Sequence, residues 1–380
     1  MKISGDWIAE PGTQKLCKAL EDAGYRALFV GGCVRNALLG VAVADIDIAS
    51  DALPETVSNI AEKAGFRVVP TGIDHGTVTV IANGIPHEVT TFRRDVETDG
   101  RRAVVAFSQD VAEDAARRDF TMNALYADAT GHVIDPLGGL PDLIARRVRF
   151  VGEADARIRE DYLRILRFFR FHAVYGDPDA GIDADGLAAC AANSDGIAGL
   201  SRERIGAEMR KLLAAKDPAP SVAIMAQAGI LAQVLPGADH RALAPLVHLE
   251  AGLSPRWQRR LAVLGGEDLT EHLRLSRADL GSILRIRDEI GTTLSPAALG
   301  WKLGQQEAID VMLCRAAVLE MTLPPDWQPH IARGAQANLP VSAADLMPAL
   351  QGAALGAKLK EIEARWLRSD LTAARDELLR

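Results

Sequence analysis

Two aspartates, Asp45 and Asp47, stand one residue apart in the otherwise apolar stretch 41-VAVADIDIAS-50. The alternation of polar and apolar residues predicts a strand over 45–49, in which both carboxylates share one face while Ile46 and Ile48 face the core. Neighbouring carboxylates repel each other, and a divalent cation between them removes that cost. The pair therefore predicts a Mg²⁺ site of the type that carries out phosphoryl or nucleotidyl transfer with two metal ions.

A glycine turn and an arginine precede the aspartates in 31-GGCVRNALLG-40. Gly31 and Gly32 let backbone N–H groups come close to a phosphate. Arg35, on the short helix predicted next, has the fork geometry that binds phosphate bidentately. Glu88 lies on a later predicted strand and is either a third carboxylate of the same site or an ordinary exposed strand residue. The combination favours triphosphate binding over a strand that simply ends at the surface.

These residues fall in a region where short β-rich runs alternate with helical ones. Strands are predicted at 27–30, 66–70, 76–82 and 87–93, the last two joined by a turn at Asn83-Gly84, and helices at 10–23 and 54–63. The polar residues 94–114 predict a mobile loop that leads into a helix. After about residue 150 the periodicity is helical throughout, beginning with a segment at 154–175.

Composition restricts the classes of protein to which the chain can belong. Its 380 residues include four cysteines with no CxxC pair, which disfavours a zinc site or a disulfide framework and favours a reducing compartment. The N-terminus has no apolar signal core, and no run approaches the roughly 18 apolar residues of a membrane span. We therefore expect a cytoplasmic protein with no membrane partner.

Charge is distributed unevenly along the chain. The formal net charge of −8 disfavours general nucleic-acid binding, yet residues 146–170 contain eight arginines and four acids. Within this basic stripe, 160-EDYLRILRFFRF-171 repeats a charged residue every three positions, at Asp161, Arg164, Arg167 and Arg170. On a helix this spacing predicts a slowly winding polar stripe, with Leu163, Leu166, Phe168 and Phe169 available to the core.

The stripe has two interpretations. One is a solvated arginine face. The other is a protein template, in which a carboxylate accepts from the amine of C or A and a guanidinium donates to acceptors of the base. A base with the wrong pattern of donors and acceptors would leave a buried polar group unpaired.

Four stretches together resemble the class II tRNA nucleotidyltransferases and their relatives, the bacterial poly(A) polymerases. They are 31-GGCVRNALLG-40 with 45-DID-47, 117-RRDFTMNALY-126, 135-DPLGGLPDL-143 followed by 160-EDYLRILRFFRF-171, and, least specific, 201-SRERIGAEMRKLL-213. They span about residues 27–215, a little over half of the chain. One position departs from the pattern: the family usually has Asp where this chain has Asn36, which leaves the orientation of Arg35 in question.

The resemblance implies an α+β architecture in three parts. A polymerase-β-like nucleotidyltransferase head with a small mixed or antiparallel sheet would occupy 1–150. An all-helical neck at 151–235 would carry the nucleotide-selecting helix and the start of the RNA-binding region. A helical body and tail at 236–380 would bind the acceptor end and T arm of tRNA.

The resemblance also assigns roles to individual residues. It implies that Asp45 and Asp47 are catalytic and hold two Mg²⁺ ions, that Gly32, Arg35 and Arg118 contact the nucleotide, that Asp161 and Arg164 select CTP and ATP, and that Arg167 and Arg170 line the nucleotide site. Residues 94–114 would assist the switch from C to A addition. Asp119 is expected to cap a helix that begins near Phe120.

The function implied is template-independent addition of CCA to tRNA 3′ ends from CTP and ATP, with no role for DNA. Within the family, a poly(A) polymerase and an enzyme that adds only CC or only A remain open. The mixed charge of the C-terminal RSDLTAARDELLR, the acidic net charge and the run 75-HGTVTV-80 favour a tRNA enzyme. A non-catalytic RNA-binding protein is the alternative from another class, and the intact DID disfavours it.

Overall fold

The computed structural model of the chain describes residues 1–70, 72–73, 76–99 and 102–380. The described chain forms two compact units, Met1–Leu200 and Ser201–Arg380. All the strands found in the described ranges belong to the first unit, and the second is helical. The α+β fold class is therefore confirmed, whereas the three-part domain division stays a prediction. None of the described helices is long and apolar enough to cross a bilayer.

A mixed sheet of seven strands organises the first unit, in the order β3-β4-β5-β2-β1-β8-β9. The strands of the unit are β1 Leu28–Val30, β2 Ile46–Ser50, β3 Arg67–Val69, β4 Thr77–Ala82, β5 Ile85–Thr91, β6 Arg93–Asp99, β7 Arg102–Phe107, β8 Tyr126–Ala127 and β9 Val133–Ile134. Strands β2 and β5 are parallel, and the other neighbours in the sheet are antiparallel. The predicted turn between β4 and β5 is confirmed, with positive φ at both Asn83 and Gly84.

Helices cover the sheet and continue to the end of the first unit. They are α1 Asp6–Ala9, α2 Pro11–Asp22, α3 Gly32–Leu38, α4 Pro54–Lys63, α5 Val111–Ala116, α6 Leu140–Ile144, α7 Ala154–Glu160, α8 Leu163–Tyr175 and α9 Ala184–Ala192, with 3₁₀ turns at Thr121–Asn123 and Ser194–Gly199. The start of α2 shows why the sequence forms a helix there. Glu10 accepts a hydrogen bond from the Thr13 N–H at 2.7 Å, and Pro11 occupies the first helical position.

The second unit is built from helices α10–α20. They are α10 Arg202–Leu213, α11 Ala219–Gln227, α12 Ile230–Val234, α13 Leu243–Leu249, α14 Trp257–Leu264, α15 Leu269–Leu273, α16 Arg277–Ile290, α17 Pro296–Val318, α18 Trp327–Gln336, α19 Gly352–Arg368 and α20 Arg375–Leu378, with a 3₁₀ turn at Ala343–Asp345. An unusual charged cluster lies in its interior, where Arg259 and Arg260 are both only 1% exposed and share the carboxylate of Glu250.

The prediction of a loop over 94–114 is wrong for the residues that the structure describes. Strands β6 and β7 pair antiparallel from Arg93 opposite Phe107 to Asp99 opposite Arg102, and the predicted start of a helix is confirmed by α5, which begins at Val111. A two-stranded ribbon is held by backbone hydrogen bonds, so its residues need not show the apolar alternation that identifies a strand in a packed sheet. His75 of the run 75–80, and residues 100–101 of the predicted loop, lie outside the described residues.

The single helix predicted over 154–175 is also wrong. Helix α7 ends at Glu160, Asp161 is extended (φ −155°, ψ 103°), and α8 begins at Leu163. The Asp161 carboxylate accepts a hydrogen bond from the Leu163 N–H at 3.1 Å. Such a local bond to the backbone competes with helix continuation, which explains the break.

Near Phe120, a 3₁₀ turn replaces the predicted helix. The turn covers Thr121–Asn123 and has no side-chain cap, so the role predicted for Asp119 as a helix cap is wrong. Phe120 instead anchors the turn in an aromatic cluster, with its ring 5.0 Å from that of Phe150 and 4.8 Å from that of Phe171. The predicted burial of the apolar face of α8 is confirmed at Leu163, Leu166, Phe168 and Phe169. These contacts fix α8 against the RRDFT segment.

Candidate active site

Asp47 and Glu88 lie on adjacent parallel strands in direct register, β2 and β5. Register partners on neighbouring strands point to the same face of a sheet, so the structure brings Glu88 beside Asp47. The flanking Ile46 and Ile48 are buried, as predicted, whereas Asp47 is half-buried. Asp45 is exposed and directly precedes β2 rather than lying within it. Glu88 is exposed, and the register of β2 with β5 places it beside Asp47, so its role as a third carboxylate of the site stays a prediction.

The surroundings of Asp47 disfavour its ionised form. Burial, the charge of Glu88 and that of Asp45 raise the pKa of Asp47 to about 6, against the opposing effect of Arg118. Within the described ranges, no set of three or more His, Cys, Asp and Glu side chains forms a metal cage. Mg²⁺ typically takes only one or two carboxylates and completes its shell with water and phosphate oxygens. The carboxylates of Asp45 and Asp47 therefore suit a hard divalent ion whose remaining ligands are water and phosphate oxygens.

The glycine turn joins β1 to α3 beside this pair. Gly31 has φ 68°, a left-handed conformation that favours glycine, and a Cβ at this position would lie 3.3 Å from Nη1 of Arg118. Arg118 is close enough to Asp47 to lower its pKa. The structure thus brings together Asp45, Asp47, Glu88, the Gly31-Gly32 turn and Arg118.

Arg35 is not aimed at solvent but is buried, with 7% of its surface exposed. Its guanidinium donates to Oδ1 of Asn36 at 2.9 and 3.2 Å, to Oδ1 of Asn123 at 2.5 Å and to the hydroxyl of Tyr175 at 2.6 Å. It also lies over the Tyr175 ring, 4.0 Å from the centroid. Asn36, the position that departs from the family pattern, therefore orients Arg35 through its amide oxygen.

A second buried carboxylate extends this network to α8. Asp119 accepts hydrogen bonds from Arg167, including one from Nε at 2.8 Å, and from Nδ2 of Asn123 at 2.8 Å. Burial alone would raise the pKa of Asp119, but Arg167 and Asn123 outweigh it, so the pKa lies below its ordinary value. Asn123 consequently bridges Arg35 on α3 and Asp119, and through Asp119 it reaches Arg167.

The remaining residues of the predicted template lie at the start and along the outer side of α8. Arg164 donates to Glu160 at 2.5 Å, to the Arg157 carbonyl at 2.6 Å and to the Arg117 carbonyl at 3.3 Å. Arg170 lies over the Phe171 ring at 4.5 Å. Asp161 is half-buried at the break between α7 and α8. The stripe is therefore continuous from Arg164 to Arg170, and Asp161 stands just before its helix.

Several polar residues of this region were missed by the sequence analysis. They are Asp114, Asn123, Tyr126 and Tyr175, each of which binds an arginine of the motifs. Spacing could have indicated Asp114, which stands four residues before Arg118 as in helical charge pairs, although α5 ends at Ala116. Tyr175 lies 140 residues from Arg35, and no local pattern predicts that contact.

Comparison with known proteins places the chain in a family. Residues 27–149 match the family model described as the poly A polymerase head domain, and residues 181–241 match the one described as "Probable RNA and SrmB- binding site of polymerase A". A CCA-adding enzyme of Geobacillus thermodenitrificans is 37% identical over 322 residues, which cover 80% of this chain and 77% of that enzyme. The chain belongs to the family of CCA-adding enzymes and poly(A) polymerases.

Other relatives agree with this assignment. The human mitochondrial CCA tRNA nucleotidyltransferase 1 is 41% identical over 203 residues, 53% of this chain and 47% of that protein. The crystal structure of a CCA-adding enzyme of Bacillus stearothermophilus in complex with CTP aligns with a TM-score of 0.73 and 29% identity, covering 94% of this chain and 93% of that one.

Family membership settles two predictions made from the sequence. The predicted family and enzyme class, a nucleotidyltransferase, are confirmed, and the non-catalytic alternative is set aside. Membership also implies dependence on a divalent metal ion, which the carboxylates of the candidate site are suited to bind.

Proposed function

We propose that this enzyme adds CCA to the 3′ ends of tRNA from CTP and ATP, without a nucleic-acid template. In each step the 3′ hydroxyl of the RNA attacks the α-phosphorus of the nucleotide, and pyrophosphate leaves. The observation that carries this proposal is the convergence of Asp47, Glu88 and Arg118 at the Gly31-Gly32 turn. The chain that forms this site is similar to CCA-adding enzymes over most of its length.

In the proposed site, Asp45 and Asp47 hold two Mg²⁺ ions. When bound, these ions supply positive charge at the attacking hydroxyl and at the leaving pyrophosphate. Arg118 binds the triphosphate, and the glycines keep the space beside its Nη1 open, since no side chain projects from Gly31. Gly32 and Arg35 complete the nucleotide contacts. Arg35 is buried and hydrogen-bonded to Asn36 and Asn123, so we propose that a nucleotide contacts it through the small part of its side chain that remains exposed.

We propose that Asp161 and Arg164 select the base. Arg164 is held in place by Glu160 and two backbone carbonyls, which reduces the entropy that it loses when it binds a base. Asp161, which lies between α7 and α8, accepts from the exocyclic amine of the base in this proposal. Arg167 and Arg170 line the same site further along α8. This arrangement distinguishes C and A from U and G by the pattern of donors and acceptors.

The helical parts of the chain provide the RNA surface in this proposal. Residues 151–235 form a neck, and 236–380 a body and tail that bind the acceptor end and T arm of tRNA through phosphate and shape contacts. All four cysteines are buried free thiols, which is consistent with the cytoplasmic location that we propose.

Stepwise extension tests this function. Transcripts of one tRNA that end before CCA, at C and at CC are each incubated with labelled CTP or labelled ATP alone. The proposal predicts that CTP extends the first two substrates and ATP extends only the third, each reaction stopping at the correct length. Extension by CTP without extension by ATP would identify a CC-adding enzyme, and the reverse an A-adding one. Long A tails on any RNA would identify a poly(A) polymerase and contradict the proposal.

A further inference from the structure

Two buried residues hold the guanidinium of Arg118 from one side. Asp114, 2% exposed, accepts a hydrogen bond from Nη2 of Arg118 at 2.9 Å. Tyr126, which has no exposed surface, places its hydroxyl 3.1 Å from Nε of Arg118 and its ring 5.3 Å from the guanidinium carbon. Asp114 and Tyr126 therefore bind two of the three guanidinium nitrogens.

The two partners are also bound to each other. The Tyr126 hydroxyl donates to Oδ2 of Asp114 at 2.7 Å and accepts from Nε of Arg118, so all three side chains share one polarised hydrogen-bond ring. Burial tends to raise the pKa of Asp114, but Arg118 and the Tyr126 hydroxyl outweigh it, and the pKa lies below its usual value. Asp114 is consequently an anion at neutral pH, and its charge compensates the half-buried Arg118.

The backbone around this ring fixes the ring with respect to the glycine turn. Tyr126 on β8 pairs with Val30 on β1, the residue before the Gly31 turn. The other oxygen of Asp114 accepts from the Arg93 N–H at 3.2 Å, at the start of β6. The third nitrogen of Arg118, Nη1, is the one that faces Gly31. The ring thus presents a single edge of the guanidinium to the glycine turn.

We infer that Asp114 and Tyr126 are positioning residues that fix Arg118 for the triphosphate of the incoming nucleotide. This inference rests on the proposed function, because it takes the triphosphate as the ligand of Arg118. An arginine with two of its nitrogens already bound loses less side-chain entropy when a phosphate binds the remaining edge. Asp114 and Tyr126 bind Arg118 and are not among the residues proposed to contact the base or the metal, so we expect their loss to act on triphosphate binding alone.

The test compares CTP with CMP, which carries the same base but one phosphate. Tyr126→Phe removes one hydroxyl and keeps the ring, and Tyr25→Phe, at the turn between α2 and β1, removes a tyrosine hydroxyl elsewhere in the same unit. Binding of each nucleotide to the full chain is measured by calorimetric titration with Mg²⁺ and without tRNA. For Tyr126→Phe, we expect the Kd for CTP to rise about tenfold and the Kd for CMP to stay unchanged. Tyr25→Phe should have the wild-type Kd for CTP and for CMP.

A steady-state assay on tRNA gives a second readout. The KM for CTP should rise with the Kd, while kcat stays within about threefold, because Arg118 contacts the triphosphate both before and during transfer. Asp114→Asn should weaken CTP binding at least as much as Tyr126→Phe. Since Asp114 is buried and that variant is at risk of misfolding, Tyr126→Phe decides the test.

The outcomes separate the inference from the proposed function. The positioning role is overturned if folded Tyr126→Phe has the wild-type Kd for CTP, or if its Kd values for CTP and CMP rise by the same factor. In either case the proposed function stands. If the wild-type protein itself binds CTP no better than CMP, the triphosphate site is overturned, and this inference with it.

Discussion

Asp47 and Glu88 lie side by side on the parallel strands β2 and β5, where burial and the charge of Glu88 raise the pKa of Asp47 to about 6. The pKa of Asp47 in the folded protein thus lies above the ordinary aspartate value of 3.8. Its ionised form is therefore disfavoured in the metal-free fold: the cost is absent below pH 3.8, grows as the pH rises towards 6 and persists above it. A bound divalent ion removes that cost.

The first prediction follows from this titration. Mg²⁺ affinity, measured from the rise in Tm with added Mg²⁺, should be about tenfold weaker at pH 5 than at pH 8, because about one tenth of Asp47 is ionised at pH 5. Glu88→Gln removes the neighbouring charge and should move the midpoint of this dependence to lower pH. Equal Mg²⁺ affinity at the two pH values would contradict the assignment of Asp47 as a ligand.

The second prediction concerns base selection. Asp161→Ala should relax discrimination against GTP and UTP by about 10- to 100-fold, since a single unpaired buried group accounts for a difference of this size. Mg²⁺ affinity should not change. The measurement is the ratio of kcat/KM for the four nucleotides on tRNA ending before CCA.

Asp161 also accepts from the Leu163 N–H at the start of α8, so its loss costs some stability as well. A matched control is Asp183→Ala, which removes the carboxylate that accepts from the Gly186 N–H at the start of α9. It should lower stability to a similar extent, about 1 kcal/mol, with no change in discrimination. Identical nucleotide selectivity in both variants would rule out the template role of Asp161.

The third prediction concerns the position that departs from the family pattern. Asn36→Ala removes the acceptor of two Arg35 hydrogen bonds and should cost about 1–2 kcal/mol of unfolding free energy, together with a higher KM for CTP. Asn36→Asp gains a charged acceptor for Arg35 but loses the bond that the Asn36 amide donates to the Ala42 carbonyl. We expect it to be close to the wild type in urea unfolding and in activity. A stable, fully active Asn36→Ala would show that Asn36 does not orient Arg35.

The fourth prediction concerns the interior of the second unit. Arg260 donates to the carboxylate of Glu250. It also donates to backbone carbonyls at and just after the end of α10, those of Leu213, Ala215 and Lys216. Arg260→Met breaks a buried ion pair and should lower the unfolding free energy by about 3–5 kcal/mol. The urea midpoint of this unit reports the change. Arg241→Met, in the exposed pair with Asp239, is the control and should leave that midpoint nearly unchanged.

Site residues could be predicted from the sequence when they lie close together along the chain. Asp45, Asp47 and the Gly31-Gly32 turn lie within one short segment, so spacing alone indicates a shared site. The position of Glu88 depended on the parallel pairing of β2 with β5, which alternation along one strand does not specify. The ring of Asp114, Tyr126 and Arg118 lies within one short segment but was missed, because its side chains meet only after the chain leaves α5 and returns through the 3₁₀ turn Thr121–Asn123 to β8.

Two helical predictions failed because of the hydrogen bonds that a carboxylate makes, one within its own turn and one with a distant helix. At Asp161, the side chain bonds the backbone of Leu163 and ends the helix that periodicity favours. At Asp119, the carboxylate binds Arg167 on α8 rather than only the turn beside it. In both cases a carboxylate accepts a hydrogen bond that the spacing of hydrophobic residues does not predict.

The most direct test of the account is to sequence tRNA 3′ ends after incubation with CTP and ATP together, using the wild type and Asp47→Asn, with Asp22→Asn as a surface control. Metal-dependent charge stabilisation contributes several kcal/mol, so Asp47→Asn should be slower by about 10³-fold or more while still binding tRNA. The wild type and Asp22→Asn should produce ends that stop at CCA. Ends that continue into long A tails would contradict the proposed CCA addition. Full activity of Asp47→Asn would contradict the role of Asp47 as a metal ligand.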